Sequence, residues 1–337
     1  MAYFLGIESS CDDSSIAVIT DSFKIEYLLT QSHLECSQVF QGIMPENVSR
    51  EHVKYLPALI EKISTEFNLS QIEMIAYTAG PGLAGSLLIG AHLAHSLSVL
   101  LNKPLVPVHH LDGHQTAYRL EQDEISYPAL SVIVSGGHTQ LMILSDPFSF
   151  HIIGKTRDDA AGEAFDKIAK YIGLGFPGGP ILSEKAAQGS FIPGLFTIPM
   201  SSAESLDFSF SGLKTQAMRV WDDQKISLED FCATVEEIIA QTICLKIKQS
   251  MKIYSFKSII LSGGVACNQR LRATLSSFCT KTGIRLAIPS PKLCADNAAM
   301  IAAAGLKNWL HDKSKYQNEP KLSPLIRSHW PIDESFY

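Results

Sequence analysis

One phrase occurs twice in this chain of 337 residues, and it constrains the fold more than any other feature. Ile133-Val134-Ser135-Gly136-Gly137 returns as Ile260-Leu261-Ser262-Gly263-Gly264, each time closing a β-branched apolar run. A buried strand that stops at paired glycines leaves backbone N–H groups free to face an anion, and lets a phosphate approach the main chain closely. A single Gly-Gly after a strand reads as an ordinary turn. Two such loops, each followed by a polar side chain (His138 and Asn268), read better as a nucleotide site.

The surrounding pattern is also duplicated. Tyr3–Ile7 is apolar, Glu8–Ser14 is a polar turn, and Ile16–Ile19 is apolar again, which predicts a hairpin whose tip faces a ligand. A helix over residues 50–68 follows, then a strand Met74–Thr78 running into Gly80-Pro81-Gly82. A helix Ser86–Leu101 and a strand Leu105–Val108 complete the first half. The second half repeats the plan with Leu130–Val134, the turn Ser135–His138 and Gln140–Leu144. Helices at about 160–172 and 228–253 precede the strand Ser258–Leu261, a helix from Asn268, a strand near Arg285–Ile288 and a last helix from Asp296 to about Leu310.

Strands alternating with helices predict an α/β fold with ligands at the carboxyl ends of the strands. Two hairpin-led copies match the plan of actin, Hsp70 and the sugar kinases: two duplicated RNase H-like domains around a central nucleotide cleft. The expected boundaries are 1–125 and 126–311, with the last helix (about 296–310) free to pack back on the first domain and 312–337 a surface tail.

A net charge of −6 means that the whole molecule does not attract nucleic acid. A nucleic-acid substrate needs a partner's basic surface or a local one. Lys246, Lys248, Lys252, Lys257, Arg270 and Arg272 could make such a face, though the lysines equally fit a solvated helix. The seven cysteines are odd in number and scattered without a Cys-x-x-Cys pair, which predicts reduced thiols and a cytoplasmic setting. The N-terminus reaches Glu8 too soon for a signal peptide. Residues 80–101 are apolar enough to raise the membrane question. They also carry His92, His95, four glycines and three serines, so a buried helix and no membrane are expected.

His110-Leu111-Asp112-Gly113-His114 places two imidazoles four residues apart, on one face if the segment is helical, so both could bind one metal. Gly113 weakens the helix, and the Glu of a zinc-protease His-Glu-x-x-His motif is missing. Asp296 is the best third ligand; it equally suits a cap on the helix it begins. Two imidazoles and a carboxylate with open positions suit iron or zinc. Because Asp296 and the histidines lie in different halves of the sequence, a shared metal is expected at the cleft. Asp159, Glu163 and Asp166 stack on one face if Arg157–Lys167 is helical, either solvated or recruited to a ligand. Gly173–Pro180 reads as a rigid ligand wall.

Gly6-Ile7-Glu8-Ser9-Ser10-Cys11-Asp12, the His110/His114 pair, Val134–His138, Asp158–Lys167, Gly178-Gly179-Pro180, Gly263–Asn268 and Asp296-Asn297 together resemble the TsaD family. These are the bacterial tRNA N6-adenosine threonylcarbamoyltransferases, formerly called O-sialoglycoprotein endopeptidases or glycoproteases. The resemblance runs from about residue 3 to 306, and Trp330-Pro331-Ile332-Asp333 resembles the family's tail.

That resemblance implies transfer of threonylcarbamoyl from threonylcarbamoyl-AMP to N6 of adenosine 37 in tRNAs reading ANN codons, forming t6A. It implies that His110, His114 and Asp296 bind one metal ion, iron or zinc with iron favoured. It also implies that Val134, Ser135, Gly136, Gly137, His138, Asp166, Gly179 and Asn268 hold the adenylate. A TsaB-like paralogue and a TsaE-like ATPase are the expected partners. Asp12, at the first hairpin tip, is the candidate for helping to deprotonate the amine, although it could as well cap its own turn. The chain departs from the family in small ways. Glu8-Ser9-Ser10 replaces Glu-Thr-Ser, Gln41–Glu46 replaces Gly-Gly-Val-Val-Pro-Glu, and Asn297-Ala298 replaces Asn-Gly. Ser183 stands where some members carry an acidic residue that contacts the ribose, which leaves one nucleoside contact open. The rival readings are an ATP-dependent kinase or ATPase of the same fold, a metalloprotease, and a non-catalytic scaffold. The first leaves the histidines and Asp296 unused, the second lacks a general base, and the third has no need of a metal triad.

Overall fold

Two separate five-stranded sheets share one strand order. The computed structural model describes residues 1–33, 42–122, 125–201, 204–223, 225–316 and 325–334; Cys36 and Gln41 of the sequence reading lie outside them. The chain forms two units, Met1–Asp123 with Ala295–Tyr337, and Glu124–Cys294.

In the first unit, β1 (Tyr3–Glu8), β2 (Asp13–Thr20) and β3 (Ile25–Ser32) make an antiparallel meander, and β4 (Ile72–Gly80) and β5 (Leu105–His109) add in parallel, giving the order β3-β2-β1-β4-β5. In the second, β6 (Ala129–Val134), β7 (Thr139–Leu144) and β8 (Phe150–Lys155) are the meander, and β9 (Ser258–Ser262) and β10 (Arg285–Ala287) the parallel strands, giving β8-β7-β6-β9-β10. The duplication expected from the sequence is therefore a duplication of topology.

Helix α1 (Pro45–Ser64) starts with a proline in its first turn, where the missing N–H costs nothing. It buries Val48, His52, Leu56, Ile60 and Ile63, which recur every three or four residues. Leu56, Ile60 and Ile63 pack with Leu5, Ile7, Ile16 and Val18 of the sheet, and full burial of each such aliphatic side chain contributes about 1.5–3 kcal/mol. Helix α2 (Ala84–Leu101) is the one described helix long and apolar enough to cross a membrane by length and composition. Its Ala91, Ala94 and Leu97 belong to the core of this unit. A short helix α3 (His110–Thr116) follows β5 directly.

The second unit carries α4 (Ala161–Tyr171), α5 (Gly178–Ala186), α6 (Ser211–Asp222), α7 (Leu228–Ser250), α8 (Gln269–Thr282) and α9 (Pro291–Cys294). The expected ligand wall Gly173–Pro180 is only partly a loop, since α5 begins at Gly178 and takes Pro180 into its first turn. Helix α10 (Ala298–His311) is almost entirely buried and packs on β1, β2, β4 and α3 of the first unit.

The expected surface tail is also partly built in. Tyr77 Oη donates to the Leu325 carbonyl at 2.9 Å, Arg327 N–H donates to the Ala79 carbonyl at 2.7 Å, and Trp330 is buried in the core. The segment's polarity hid an indole that the first unit needs.

Candidate functional site

Strand β1 ends in a buried carboxylate. Glu8 is fully buried, and its oxygens accept hydrogen bonds from Ser10 N–H at 2.5 Å and Thr78 Oγ1 at 2.7 Å. The same carboxylate lies 3.2 Å from His110 Nδ1, and Ser10 Oγ lies 3.1 Å from that nitrogen. With Nδ1 engaged, the Nε2 of His110 points away from the strand, 3.5 Å from Asp296 Oδ1. His114, four residues on along α3, brings its Nε2 to 3.2 Å from the same oxygen. One ligand atom from each of the three residues lies within 4.8 Å of the others.

These three residues come together inside the first unit, because residues 295–337 belong with 1–123. By sequence Asp296 falls in the other half, and a shared metal is then expected at a cleft. That separation is one of sequence, since α10 packs against α3. Gly113 takes part in this contact: a Cβ there would stand 2.8 Å from Ile301 Cδ1 of α10. Lys307 of α10 also pairs with Asp112 of α3 at 2.5 Å, and both side chains are mostly buried. The capping reading of Asp296 does not hold. Asn297 caps α10, its side chain accepting from Met300 N–H at 3.0 Å, while Asp296 stands outside the helix.

The donor set fits a metal ion. His114 is fully buried and neither ring nitrogen makes a hydrogen bond, although Nε2 faces Asp296 at salt-bridge distance without hydrogen-bond geometry. Leaving such a buried polar group unpaired is costly. Burial pushes the His110 pKa down, but the Asp296 and Glu8 carboxylates outweigh it and hold the ring up at about 9. The site therefore selects positive charge. A carboxylate on the far nitrogen of a ligating histidine is the usual orienting partner in metal centres.

Asp12 sits in the β1–β2 turn, partly buried, and its carbonyl accepts from His33 N–H at 2.9 Å. Burial and then the Asp296 charge raise its carboxyl above the ordinary range, against hydrogen bonds from its own N–H and the Cys11 thiol. The turn is braced by two imidazoles that the sequence reading missed. His52 of α1 lies 2.8 Å from the Cys11 carbonyl and 2.6 Å from Ser14 Oγ, which in turn lies 2.9 Å from His33 Nε2. A histidine at a core position of an amphipathic helix was the available signal.

In the second unit the two Ser-Gly-Gly loops leave adjacent parallel strands, with Ile133 of β6 opposite Ser262 of β9. Gly263, at φ +94°, lies on the backbone of Val134. Gly136 and Gly137 are exposed at the tip, closed behind by Ser135 N–H donating to the His138 carbonyl at 2.8 Å. Gly162, in the first turn of α4, rests against Gly136: a Cβ there would stand 2.7 Å from the Gly136 Cα. One turn along α4, Asp166 Oδ1 accepts from Gly178 N–H at 2.7 Å and Gly179 N–H at 3.4 Å, at the start of α5. On α5, Ser183 meets Asn268, whose Nδ2 donates to Ser183 Oγ at 2.9 Å and to Glu236 Oε1 of α7 at 2.6 Å. Asn268 Oδ1 caps α8, and the turn before it returns to Gly263. The residues expected to hold an adenylate thus lie around one closed circuit of contacts.

The acidic stack does not form. Helix α4 begins only at Ala161, so Asp159 lies before it and pairs with Lys167 and Lys214 (2.9 Å to the latter). Glu163 turns back to accept from Ala160 N–H at 2.9 Å, and Asp166 holds α5. Each carboxylate has its own structural partner.

The family model for TsaD, tRNA N6-adenosine threonylcarbamoyltransferase, matches residues 27–303. The chain belongs to the TsaD family. Solved structures similar to it carry the actin-like fold of two mixed α/β domains. Full-length HypF in its phosphate- and nucleotide-bound form is 14% identical, with a TM-score of 0.64 over 94% of this chain and 56% of that one. Component A of the (R)-2-hydroxyglutaryl-CoA dehydratase of Acidaminococcus fermentans is 13% identical, with a TM-score of 0.57 over 91% of this chain and 99% of that one. A ROK family glucokinase from Streptomyces griseus, in complex with glucose and AMPPNP, is 10% identical, with a TM-score of 0.50 over 90% and 98%. At these identities the likeness is one of fold. The TsaD match places the chain among tRNA-modifying transferases.

Proposed function

We propose that this TsaD-family protein transfers threonylcarbamoyl from threonylcarbamoyl-AMP to N6 of adenosine 37 in ANN-decoding tRNAs, forming t6A. The observation that carries the reading is the buried His114 imidazole, without a hydrogen bond and grouped with His110 and Asp296, in a chain of this family. A kinase or ATPase of the same fold has no use for that group.

His110, His114 and Asp296 would hold the metal, iron by preference or zinc, and Glu8 would fix the His110 ring. Such an ion supplies Lewis acidity toward a carbonyl or an anionic substrate group. In the transfer, the adenine N6 attacks the carbamoyl carbon, the carbon–oxygen bond to phosphate breaks, and AMP leaves with its charge. The exposed backbone N–H groups of Gly136 and Gly137 are suited to that charge. Ser135, His138, Asp166, Gly179 and Asn268 would line the rest of the adenylate site, Asp166 by fixing the start of α5.

Asp12 is the proposed acceptor of the N6 proton. Its raised pKa makes it a better base than an ordinary aspartate, and the hydrogen bonds it accepts from its own N–H and the Cys11 thiol come from within its own turn. The acidic chain, net −6, would take its tRNA with a TsaB-like paralogue and a TsaE-like ATPase, in the cytoplasm. Nucleoside analysis of tRNA incubated with threonylcarbamoyl-AMP and those partners tests the reading: t6A should form with wild type and fall sharply with Asp12→Asn. ATP hydrolysis or peptide cleavage without t6A would replace it with one of the rival activities.

A further inference from the structure

The circuit of contacts in the second unit also includes a carboxylate. Glu236, half-buried on α7, receives Ser183 Oγ–H at 2.7 Å and Asn268 Nδ2–H at 2.6 Å, both on the single oxygen Oε1. Its Oε2 takes no hydrogen bond among the described residues, and no ion pair reaches it. The nearby cation is committed elsewhere, since Arg270 pairs with the neighbouring Glu237. Two polar side chains from different elements thus fix one carboxylate oxygen and leave the other open beside Asn268.

The chemistry limits what Glu236 can meet. An ionised carboxylate only accepts hydrogen bonds, and it repels phosphate. The part of an adenylate placed against it must be neutral and donate hydrogen bonds, while the phosphate goes to the Gly-Gly loops. The ribose meets that demand with two adjacent hydroxyls that can both reach one carboxylate. Ser183 lies one helical turn, about 6 Å along α5, from Gly179, so Glu236 stands beside the expected adenylate residues at Gly179 and Asn268.

We infer that Glu236 receives the ribose 2′- and 3′-hydroxyls of the adenylate and is the residue that selects ribonucleotides in this chain. The carboxylate comes from α7 across the Ser183 hydroxyl, because position 183 itself carries no charge. This inference rests on the adenylate reading of the second unit.

The test compares binding of AMP and 2′,3′-dideoxy-AMP to the full chain by titration calorimetry, for wild type and Glu236→Gln. Glutamine keeps the shape and an oxygen acceptor for Ser183 and Asn268, so the site stays assembled. Wild type should bind AMP at least tenfold more tightly than the dideoxy nucleotide. The variant should lose that preference through weaker AMP binding, with dideoxy binding unchanged. A preference as large in Glu236→Gln as in wild type, or equal weakening of both nucleotides, overturns the inference and leaves the adenylate site standing. Failure of wild type to bind AMP at all removes the adenylate reading and this inference together.

Discussion

Gly263 lies face-on against Val134, so close that a Cβ at position 263 would stand 2.3 Å from the Val134 carbonyl oxygen. The two residues belong to the two copies of the repeated Ser-Gly-Gly phrase. The repetition seen in the sequence is thus also a physical contact between the ends of neighbouring strands.

Gly263→Ala meets both a backbone clash and a φ of +94°. Destabilisation of roughly 3 kcal/mol is expected, with AMP binding lost in whatever fraction still folds. Denaturant unfolding and calorimetry measure the two effects. An alanine variant as stable as wild type would mean that the loops are not packed on each other as described.

Removing the partner of His110 should weaken the metal site without removing a ligand. Glu8→Gln is expected to lower metal affinity about 10–100-fold, as for other carboxylates behind ligating histidines. Competition with a chelator, followed by metal analysis, reads this directly. Unchanged affinity would assign Glu8 a purely structural role with Thr78 and Ser10.

The pair Lys307–Asp112 ties the helix bearing His110 and His114 to the helix that follows Asp296. Asp112→Ala removes the carboxylate paired with the buried Lys307 ammonium, and should cost about 3–5 kcal/mol. Lys307→Met with Asp112→Leu, which removes both charges, should cost much less. Melting temperatures of the two variants give the comparison, and equal losses would contradict it.

Acid should loosen the first hairpin turn. Burial, then the neighbouring His52, depresses the His33 pKa to about 4 from its ordinary 6.5. The unfolded chain therefore takes up a proton at a pH where the folded chain does not. This contribution is complete above pH 6.5 and is lost as pH falls toward 4. Wild type should lose more melting temperature between pH 7 and 5 than His33→Gln does. Parallel curves would remove His33 as the cause.

Much of this was legible in the sequence for definite reasons. The inner strands β1, β2, β6, β7 and β9 are buried along nearly their whole length, so they read as apolar runs. The outer strands β3 and β8 escaped notice because their half-exposed faces mix Glu, Gln, His and Lys with the apolar residues. Helix α5 hid behind its opening Gly-Gly-Pro, and α6 behind an alternation of small, polar and apolar residues. The His110–His114 spacing pointed to a shared face because α3 is a helix. Asp296 stayed ambiguous because only the structure shows Asn297 taking the cap. Glu236 could not be singled out, since nothing in a long helix marks one glutamate as half-buried against Ser183 and Asn268.

The most direct measurement is transfer of labelled threonylcarbamoyl from its adenylate to an ANN-decoding tRNA, with the partner proteins supplied, comparing wild type with His110→Ala. Wild type should label adenosine 37, and the variant should lose both bound metal and transfer while still binding AMP. Full transfer by a His110→Ala protein that holds no metal would contradict the account, as would a wild type that binds metal and AMP but never labels the tRNA.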